Sequence, residues 1–246
     1  MKHDALGSRL SALGSRLSAL GSRLSASGRR TRSPYKALGT RRHIHRTYKC
    51  PRKGILSSMQ SLKDRILQDG QSLGSGILKV DAFINHQLDP QLTREMGEHF
   101  AAYFQNHGAT RILTAEVSGI APAYATGLVM GLPVVYARKK KPVTMNGTTY
   151  QASAVSRTKG DVVTLSVSSE YIQPGDKVLI IDDFLARGVT IKALVDIVEQ
   201  AGAELVGIGT IIEKSFEGGR VLLEGLGIEI YSLAIIDSLD DGIVIR

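Results

Sequence analysis

Two adjacent carboxylates, Asp182 and Asp183, follow a run of four aliphatic residues in the stretch VLIIDDFLARGVT (178–190). The apolar run predicts a buried strand, and the small residues after the acids, including Gly188, predict a tight turn into a helix. Such turns bind phosphate, because backbone N–H groups at a helix N-terminus converge on the anion and small side chains let it approach. We therefore expect residues 186–190 to cradle a phosphate, with both carboxylates beside it able to accept hydrogen bonds from hydroxyl groups.

Two other interpretations of this stretch stay open from the residues alone. Acidic side chains often end a buried strand merely as caps, and an acid pair after a strand is also typical of a phospho-acceptor site in a signalling receiver. A Walker A loop is excluded, since the sequence holds no GxxxxGK[ST] pattern, and no GxGxxG motif follows a strand.

Two further stretches place polar groups where strands are expected to end. Ser118 and Gly119, within EVSGIAPA (116–123), offer a tight turn whose N–H groups can bind an anion, although an ordinary βα turn has the same composition. Four consecutive cations follow another strand: Arg138, Lys139, Lys140 and Lys141. Adjacent cations usually form a solvated loop, but next to a phosphate site they are plausible counter-charges.

The elements that must position these groups alternate along the chain from residue 59. Apolar runs predict strands at 111–117, 132–138, 162–167, 177–182, 204–213 and 228–236, and the segments between them predict helices near 59–68, 89–107, 120–131, 189–201 and 218–226. Near-continuous apolar strands separated by helices predict an α/β fold with a parallel sheet buried on both faces. Ligands of such sheets bind at the carboxyl ends of the strands.

One connection is long for a compact sheet. The segment 142–160 (PVTMNGTTYQASAVSRTKG) is polar and carries Gly, Ser and Thr. Long loops of this kind are often lids over active sites, so we expect a lid here. The alternative is an extra hairpin without a gating role.

Charge divides the chain of 246 residues into two parts, although the net charge is +8. Residues 1–58 hold 14 Lys and Arg against one acid, whereas residues 59–246 hold 17 against 22. No apolar run approaches the roughly 20 residues that span a bilayer. The single cysteine, Cys50, permits no internal disulfide, which favours a reducing compartment.

The basic segment 1–58 carries the sequence ALGSRLS three times in tandem, at 5–11, 12–18 and 19–25. Its composition is compatible with an organellar transit peptide or with an arm that binds nucleic acid through phosphates. We favour a low-complexity extension that is expected to be disordered. A repeat without any variation gives no sign that particular positions need particular side chains. The working domain is then expected to span 59–246, with nucleic acid not among its partners.

Four separated stretches carry a resemblance to a known family. Residues 178–190 resemble the thirteen-residue signature of type I phosphoribosyltransferases, in which four hydrophobic residues, two acids and two apolar residues precede a small-residue phosphate loop. The DDFLAxG form is similar to that of bacterial xanthine phosphoribosyltransferases, as are LKVDAFINHQLDP (78–90), EVSGIAPA (116–123) and IEKSF (212–216). The resemblance covers about 59–246. Ala186 and Arg187 depart from most of the family, which has Thr or Ser there.

The resemblance implies a fold, an activity and partners. The fold would be a central, mostly parallel sheet flanked by helices, with a small hood formed by N- and C-terminal segments. The activity would be transfer of the 5-phosphoribosyl group from phosphoribosyl diphosphate to xanthine, giving xanthosine 5-monophosphate and diphosphate, with Mg²⁺ carried by the diphosphate rather than by protein ligands. It further implies a cytoplasmic homodimer that serves purine salvage.

The resemblance also implies roles for individual residues. Asp182 and Asp183 would be catalytic, holding the ribose hydroxyls and offsetting developing positive charge. The phosphoribosyl diphosphate would be bound by Ser118, Gly119, Arg138, Lys139, Ala186, Arg187, Gly188, Val189 and Thr190. Xanthine would be bound by Leu78, Asn85 and Lys214. Phe83 and Phe216 are candidates to pack on the purine faces, although a lone Phe is more often a core residue.

Two rival functions fit the same fold. One is a phosphoribosyltransferase for another purine or with broader 6-oxopurine specificity. The other is a transcription regulator that senses phosphoribosyl diphosphate, although residues 1–58 show no helix-turn-helix pattern.

Overall fold

The computed structural model describes residues 59–140, 147–155 and 162–246. Residues 1–58, with the basic repeat, lie outside the described residues, as do Lys141 and parts of the expected lid, at 142–146 and 156–160. The interpretations of the basic segment therefore stay predictions.

Strands and helices alternate as the apolar pattern predicts. The strands, in chain order, are β1 (Gln71–Ser72), β2 (Leu78–Lys79), β3 (Arg111–Ala115), β4 (Val134–Ala137), β5 (Thr149–Val155), β6 (Val162–Ser168), β7 (Lys177–Leu185), β8 (Glu204–Lys214), β9 (Ile230–Ser238) and β10 (Val244–Ile245). The α-helices are α1 (Gln60–Asp69), α2 (Pro90–Phe104), α3 (Ile120–Met130), α4 (Val189–Gln200) and α5 (Gly219–Glu224). A π-helical turn spans Asp81–Asn85 and a 3₁₀ turn spans Ser215–Glu217.

The main sheet has six strands in the order β10-β9-β8-β7-β3-β4. All neighbouring pairs are parallel except β9 and β10, which are antiparallel at one edge. The predicted α/β class and the mostly parallel sheet are thus confirmed. The short antiparallel strand β10 was not predicted, because two residues give no periodicity to detect.

Side chains of β7 alternate between two hydrophobic cores, one on each face of the sheet. Leu179 and Ile181 pack with Phe100 of α2 in one core, whereas Val178 and Ile180 pack with Leu194 of α4 in the other. Successive residues of a strand point to opposite faces, so an aliphatic run is required where both faces are covered. Burying each such side chain stabilises the fold by about 1.5–3 kcal/mol.

The strand β7 extends three residues beyond its predicted end. It was expected to stop at Asp182, but it remains paired with β8 as far as Leu185, which lies opposite Glu213. The parallel partner supplies backbone hydrogen bonds to this polar stretch, and the residues alone do not reveal that partner. Both acids therefore lie within a hydrogen-bonded strand, not in a loop after it.

Two small antiparallel pairs flank the main sheet. The β5–β6 hairpin joins the edge at β4, where Arg138 and Ser166 exchange two backbone hydrogen bonds of 2.9 Å. On the other side, the β1–β2 ribbon is held to the C-terminal strands by a 2.7 Å hydrogen bond from the Ser72 hydroxyl to the Leu239 carbonyl. The ribbon and the C-terminal strands match the expected hood.

Among the residues that the structure describes, no helix is both long and apolar enough to cross a membrane.

Candidate active site at the carboxyl end of the sheet

A cavity of about 340 Å³ opens where β3, β4 and β7 end. The structure brings together in its lining most of the groups predicted for the donor site: Ser118, Gly119, Lys139, Asp182, Asp183, Ala186, Arg187, Gly188, Val189 and Thr190. These residues come from three loops that are far apart in sequence. They meet because the carboxyl ends of parallel strands lie at one edge of the sheet.

The two carboxylates at the floor of this cavity lie in an unfavourable electrostatic environment. Asp182 is only 3 % exposed, and burial, followed by the adjacent charge of Asp183, raises its pKa well above the ordinary value. Burial also raises the pKa of Asp183, although backbone N–H groups, including that of Phe184 at 2.9 Å, oppose the rise. Buried like charges destabilise a fold, so a strand cap alone does not account for this pair.

The loop after β3 closes tightly over Asp182. A Cβ atom on Gly119 would lie 2.3 Å from Asp182 Oδ1 and 2.2 Å from Thr114 Oγ1, so only glycine fits there. Glu116, whose peptide bond to Val117 is cis, links this loop to the end of β4. Its carboxylate accepts a 2.6 Å hydrogen bond from the Lys139 N–H and lies 2.8 Å from Arg138 Nε.

The predicted counter-charges therefore differ in their surroundings. The Arg138 guanidinium is paired with Glu116, so Arg138 is less available to bind an anion. Lys139 is exposed and lines the cavity, and its charge acts to lower the pKa of both buried acids. Lys140 is exposed, and Lys141 lies outside the described residues.

The loop 186–188 connects the end of β7 to the start of α4. Gly188 adopts a left-handed φ of +78°, which disfavours any residue with a Cβ, and it caps the amino end of α4. The first backbone N–H groups of a helix have no partner within the helix, so those of Val189 and Thr190 are available to an anion in the cavity. This geometry fits the predicted phosphate cradle.

A contact that the sequence pattern did not reveal supports this loop from behind. The Gly219 N–H donates a 3.0 Å hydrogen bond to the Ala186 carbonyl, and a Cβ on Gly219 would lie 2.2 Å from that oxygen. A Cβ on Gly188 would in turn approach Gly219 O at 3.0 Å. The pair of glycines in EGGR (217–220) was a signal, but Ala186, which accepts the hydrogen bond from Gly219, lies 33 positions earlier in the sequence.

The segment expected to be a lid forms part of the cavity wall. Ala154 of β5 and Leu165 of β6 line the cavity, and reciprocal hydrogen bonds of 2.9 and 3.1 Å between Gln151 and Gln200 fix the hairpin to α4. The described part of 142–160, at 147–155, thus contains the strand β5, which pairs with β6 beside the site, and the gating role of the segment stays a prediction.

The three residues expected to bind the base have different surroundings. Leu78 is buried in the core, and Asn85 is exposed in a groove that Ser118 also lines. Lys214, at the end of β8, donates a 2.7 Å hydrogen bond to the Gly76 carbonyl, and its Nζ lies 5.4 Å from the ring centroid of Phe184. The hood residue Gly76 thus contacts the predicted base lysine directly.

The two phenylalanines proposed for the purine faces differ as well. Phe83 is fully buried in the core, so it is not placed to contact a ligand, and that prediction is wrong. Phe216 is 45 % exposed and lines a further cavity of about 430 Å³ together with Gly76.

Arg187, whose role the sequence left unexplained, lies between these two cavities and lines both. Its side chain is 61 % exposed, with Nε 3.9 Å from Glu217 Oε2. The side chain therefore faces solvent at the rim, as expected if the loop binds phosphate through its backbone.

In the part of the chain that the structure describes, no group of three or more His, Cys, Asp or Glu side chains is arranged to hold a metal ion.

Comparison with known proteins identifies the family. Residues 91–221 match the phosphoribosyl transferase domain. The chain belongs to the phosphoribosyltransferase family. A xanthine phosphoribosyltransferase of Deinococcus deserti is 55 % identical over 184 residues, which are 75 % of this chain and 95 % of that protein. One of Brevibacillus brevis is 49 % identical over 181 residues, or 74 % of this chain and 92 % of that protein.

Solved phosphoribosyltransferases share the fold. The adenine phosphoribosyltransferase of Thermoanaerobacter pseudethanolicus matches with a TM-score of 0.58 at 22 % identity, covering 71 % of this chain and 98 % of that one. The adenine phosphoribosyltransferase of Rhodothermus marinus matches with a TM-score of 0.59 at 24 % identity, covering 72 % of this chain and 99 % of that one. The type I phosphoribosyltransferase fold and the resemblance to xanthine phosphoribosyltransferases are therefore confirmed.

Proposed function

We infer that this phosphoribosyltransferase transfers the 5-phosphoribosyl group of phosphoribosyl diphosphate to xanthine, giving xanthosine 5-monophosphate and diphosphate. The observation that carries the inference is the buried acid pair beside a glycine-shaped anion loop, in a chain that is 46–55 % identical to several xanthine phosphoribosyltransferases. The working domain is residues 59–246, and its role is purine salvage in the cytoplasm.

We assign the donor to the 340 Å³ cavity. The 5-phosphate is bound by the N–H groups at the start of α4, where the backbone dipoles favour an anion. The ribose hydroxyls donate hydrogen bonds to Asp182 and Asp183. As the bond to the leaving group lengthens, the sugar gains positive charge, and preorganised carboxylates stabilise that charge without reorganising.

The diphosphate leaves over the loop at 116–119, whose N–H groups and the adjacent Lys139 offset its charge. We propose that Mg²⁺ arrives with the diphosphate, since Mg²⁺ retains several waters and binds readily to substrate phosphates. When bound, it neutralises charge on the leaving group. The β5–β6 hairpin would exclude water, which otherwise competes with the base for the ribosyl cation.

We place xanthine near Lys214, on the hood side of the donor cavity. The 2-oxo group and the acidity of xanthine favour a cation and an amide donor, which Lys214 and Asn85 supply. Leu78, in strand β2 of the hood ribbon, is buried, so its contribution would be apolar packing. We propose that Phe216, which is 45 % exposed, packs on a face of the base.

We propose that the protein is a homodimer, formed through the exposed face of α3. Val117, Tyr124 and Leu128 are 71 %, 59 % and 59 % exposed, and the two helical residues lie one turn apart beside a groove of about 700 Å³. Exposed apolar patches of this kind typically mark protein interfaces. The groove reaches Ser118, so a second copy on this face would support the diphosphate loop.

A panel of bases tests the function. The full chain and a 59–246 fragment are each assayed with phosphoribosyl diphosphate, Mg²⁺ and either xanthine, guanine, hypoxanthine or adenine. We expect the highest kcat/KM with xanthine and equal values for the two proteins. Comparable turnover of several 6-oxopurines would indicate broader specificity, whereas donor binding without any nucleotide product would favour a regulator that senses the donor.

A further inference from the structure

A half-buried ion pair between Arg220 and Glu213 lies next to the phosphate loop and takes no part in the proposed reaction. Glu213, near the end of β8, is 2 % exposed. Arg220 of α5 donates hydrogen bonds to both carboxylate oxygens of Glu213, from Nε at 2.7 Å and from Nη2 at 2.5 Å. The Ser232 hydroxyl donates a third hydrogen bond to Glu213, at 2.6 Å. Glu213 is thus fully engaged by groups from α5 and β9.

The pair fixes a helix that is too short to be stable alone. The helix α5 has six residues, of which only Gly219 and Leu223 are buried, and Val221 is 70 % exposed. Isolated helices below about 12 residues are marginal in water, so α5 depends on its tertiary contacts. The paired guanidinium, which also donates to the Ile230 carbonyl at 3.3 Å, ties this helix to the sheet.

The same helix begins against the phosphate loop. Gly219, next to Arg220, donates its N–H to the Ala186 carbonyl, and its Cα lies where a Cβ on Gly188 would meet it at 3.2 Å. On the other side, Glu213 lies opposite Leu185, the last residue before the loop. Displacement of α5 would therefore displace the backbone that receives the 5-phosphate.

We propose that Arg220, through its paired contact with Glu213, is a positioning residue for the phosphate loop. It contacts no substrate. It holds the amino end of α5 so that Gly219 fixes the loop 186–188 in its anion-binding conformation. The proposal rests on the proposed function in assigning the phosphate of the donor to this loop.

The test separates positioning from simple stability. Arg220→Met removes the guanidinium group that binds both carboxylate oxygens of Glu213. Arg220→Lys keeps the positive charge but cannot donate to both oxygens in the same planar geometry. The matched control is Arg111→Met, because Arg111 forms a comparable half-buried pair with Asp176, at 2.6 Å, near the amino end of β3. For each variant of the full chain, Tm, kcat and the KM values for phosphoribosyl diphosphate and xanthine are measured.

We expect Arg220→Met to raise the donor KM about tenfold, because small displacements of binding groups are costly, with a smaller change for xanthine. Arg220→Lys should lie between this variant and the wild type. Arg111→Met should lower Tm while leaving both KM values unchanged. The proposal is overturned if the KM of Arg220→Met for phosphoribosyl diphosphate lies within about twofold of the wild-type value. It is also overturned if Arg111→Met raises this KM as much as Arg220→Met does.

Calorimetric titration with phosphoribosyl diphosphate keeps this test independent of turnover. A wild type that binds donor but converts no purine refutes the proposed function, while the donor Kd of Arg220→Met still decides the role of Arg220. If Arg220→Met does not fold, Ser232→Ala and Arg220→Lys carry the same comparison. A donor Kd unchanged in both would overturn the proposal.

Discussion

The two ends of the main sheet differ in how fully their carboxylates are compensated by neighbouring cations. At the amino ends of the strands, opposite charges are paired: Arg111 lies 2.6 Å from Asp176, and Lys177 lies 3.4 Å from Glu204. At the carboxyl ends, the pairs Arg138–Glu116 and Arg220–Glu213 lie near two adjacent like charges. Asp182 is buried and Asp183 is half-buried, and the pKa of each is raised.

The amino end also holds a cluster of aromatic and histidine side chains. Tyr103 stacks on Tyr231 with ring centroids 3.8 Å apart, and its hydroxyl donates to Glu229. His107 lies 2.8 Å from the other oxygen of that carboxylate. Burial raises the pKa of Tyr103 to about 12, with the hydrogen bond to Glu229 as a further cause, so this side chain stays neutral at physiological pH.

The difference teaches where stability and function reside in this sheet. The amino end stabilises the fold through complementary contacts, whereas the carboxyl end also holds two adjacent carboxylates with raised pKa values, which is typical of a functional site. Substitutions of matched type at the two ends should therefore have different consequences.

The largest effect is expected from Asp183→Asn. The amide keeps the shape of the side chain but removes the charge that offsets the developing ribosyl cation, so kcat should fall on the order of a hundredfold or more. Steady-state assays with xanthine measure it. Asp176→Asn, at the amino end, is the control and should retain nearly full kcat. Equal losses in both variants would remove the distinction between the two ends.

Gly119→Ala should reduce kcat/KM about ten- to a hundredfold, since overpacking of this kind costs about 1–3 kcal/mol. The added methyl group would meet Asp182 Oδ1 at 2.3 Å and push the diphosphate loop away from the acids. Gly225→Ala is the matched control, because a Cβ there has no neighbour within 4 Å. Similar kinetics in the two alanine variants would argue against the tight closure of this loop.

Lys214→Ala should lower discrimination for xanthine over hypoxanthine by about tenfold, as expected for loss of one cationic contact to the base. The donor KM should change less. The kcat/KM ratio for the two bases measures it. Lys177→Ala, at the amino end, should leave the ratio unaltered. A defect confined to the donor KM would contradict the placement of Lys214 at the base.

The smallest effect concerns stability and pH. Because the pKa of Asp182 in the folded chain is raised above its unfolded value, its contribution favours folding below the ordinary carboxyl range, near pH 4, and is lost as pH rises through the raised pKa. Asp182→Asn should therefore be more stable than the wild type at neutral pH, by a few degrees in Tm, with a gap that narrows on acidification. Thermal unfolding between about pH 5 and pH 8 measures this gap. A gap that widens at lower pH would show that the acid is not protonated more readily in the folded state.

The sequence predicted the sheet and much of the donor site because both follow local rules. Aliphatic runs such as 178–181 identify strands buried on both faces, and parallel strands place Asp182 and Ser118 at the same edge. The glycine and small residues of 186–190 predicted the anion loop from backbone geometry alone.

The remaining features depend on distances that no local pattern encodes. Gly219 supports the phosphate loop through a hydrogen bond to Ala186, 33 positions earlier in the sequence, and Gly76 of the hood contacts Lys214. Phe83 is a second example, because this aromatic residue lies in a segment predicted to bind the base but is fully buried in the core. Partner strands and facing surfaces decide such positions.

The most direct test of the central assignment is the equilibrium binding of phosphoribosyl diphosphate with Mg²⁺, measured by titration calorimetry without any base. The carboxyl-end site predicts one donor per chain with a Kd between about 1 µM and 1 mM, retained in Asp176→Asn and strongly weakened in Gly119→Ala. Absence of binding to the wild type, or undiminished binding to Gly119→Ala, would contradict the assignment of the donor to this cavity.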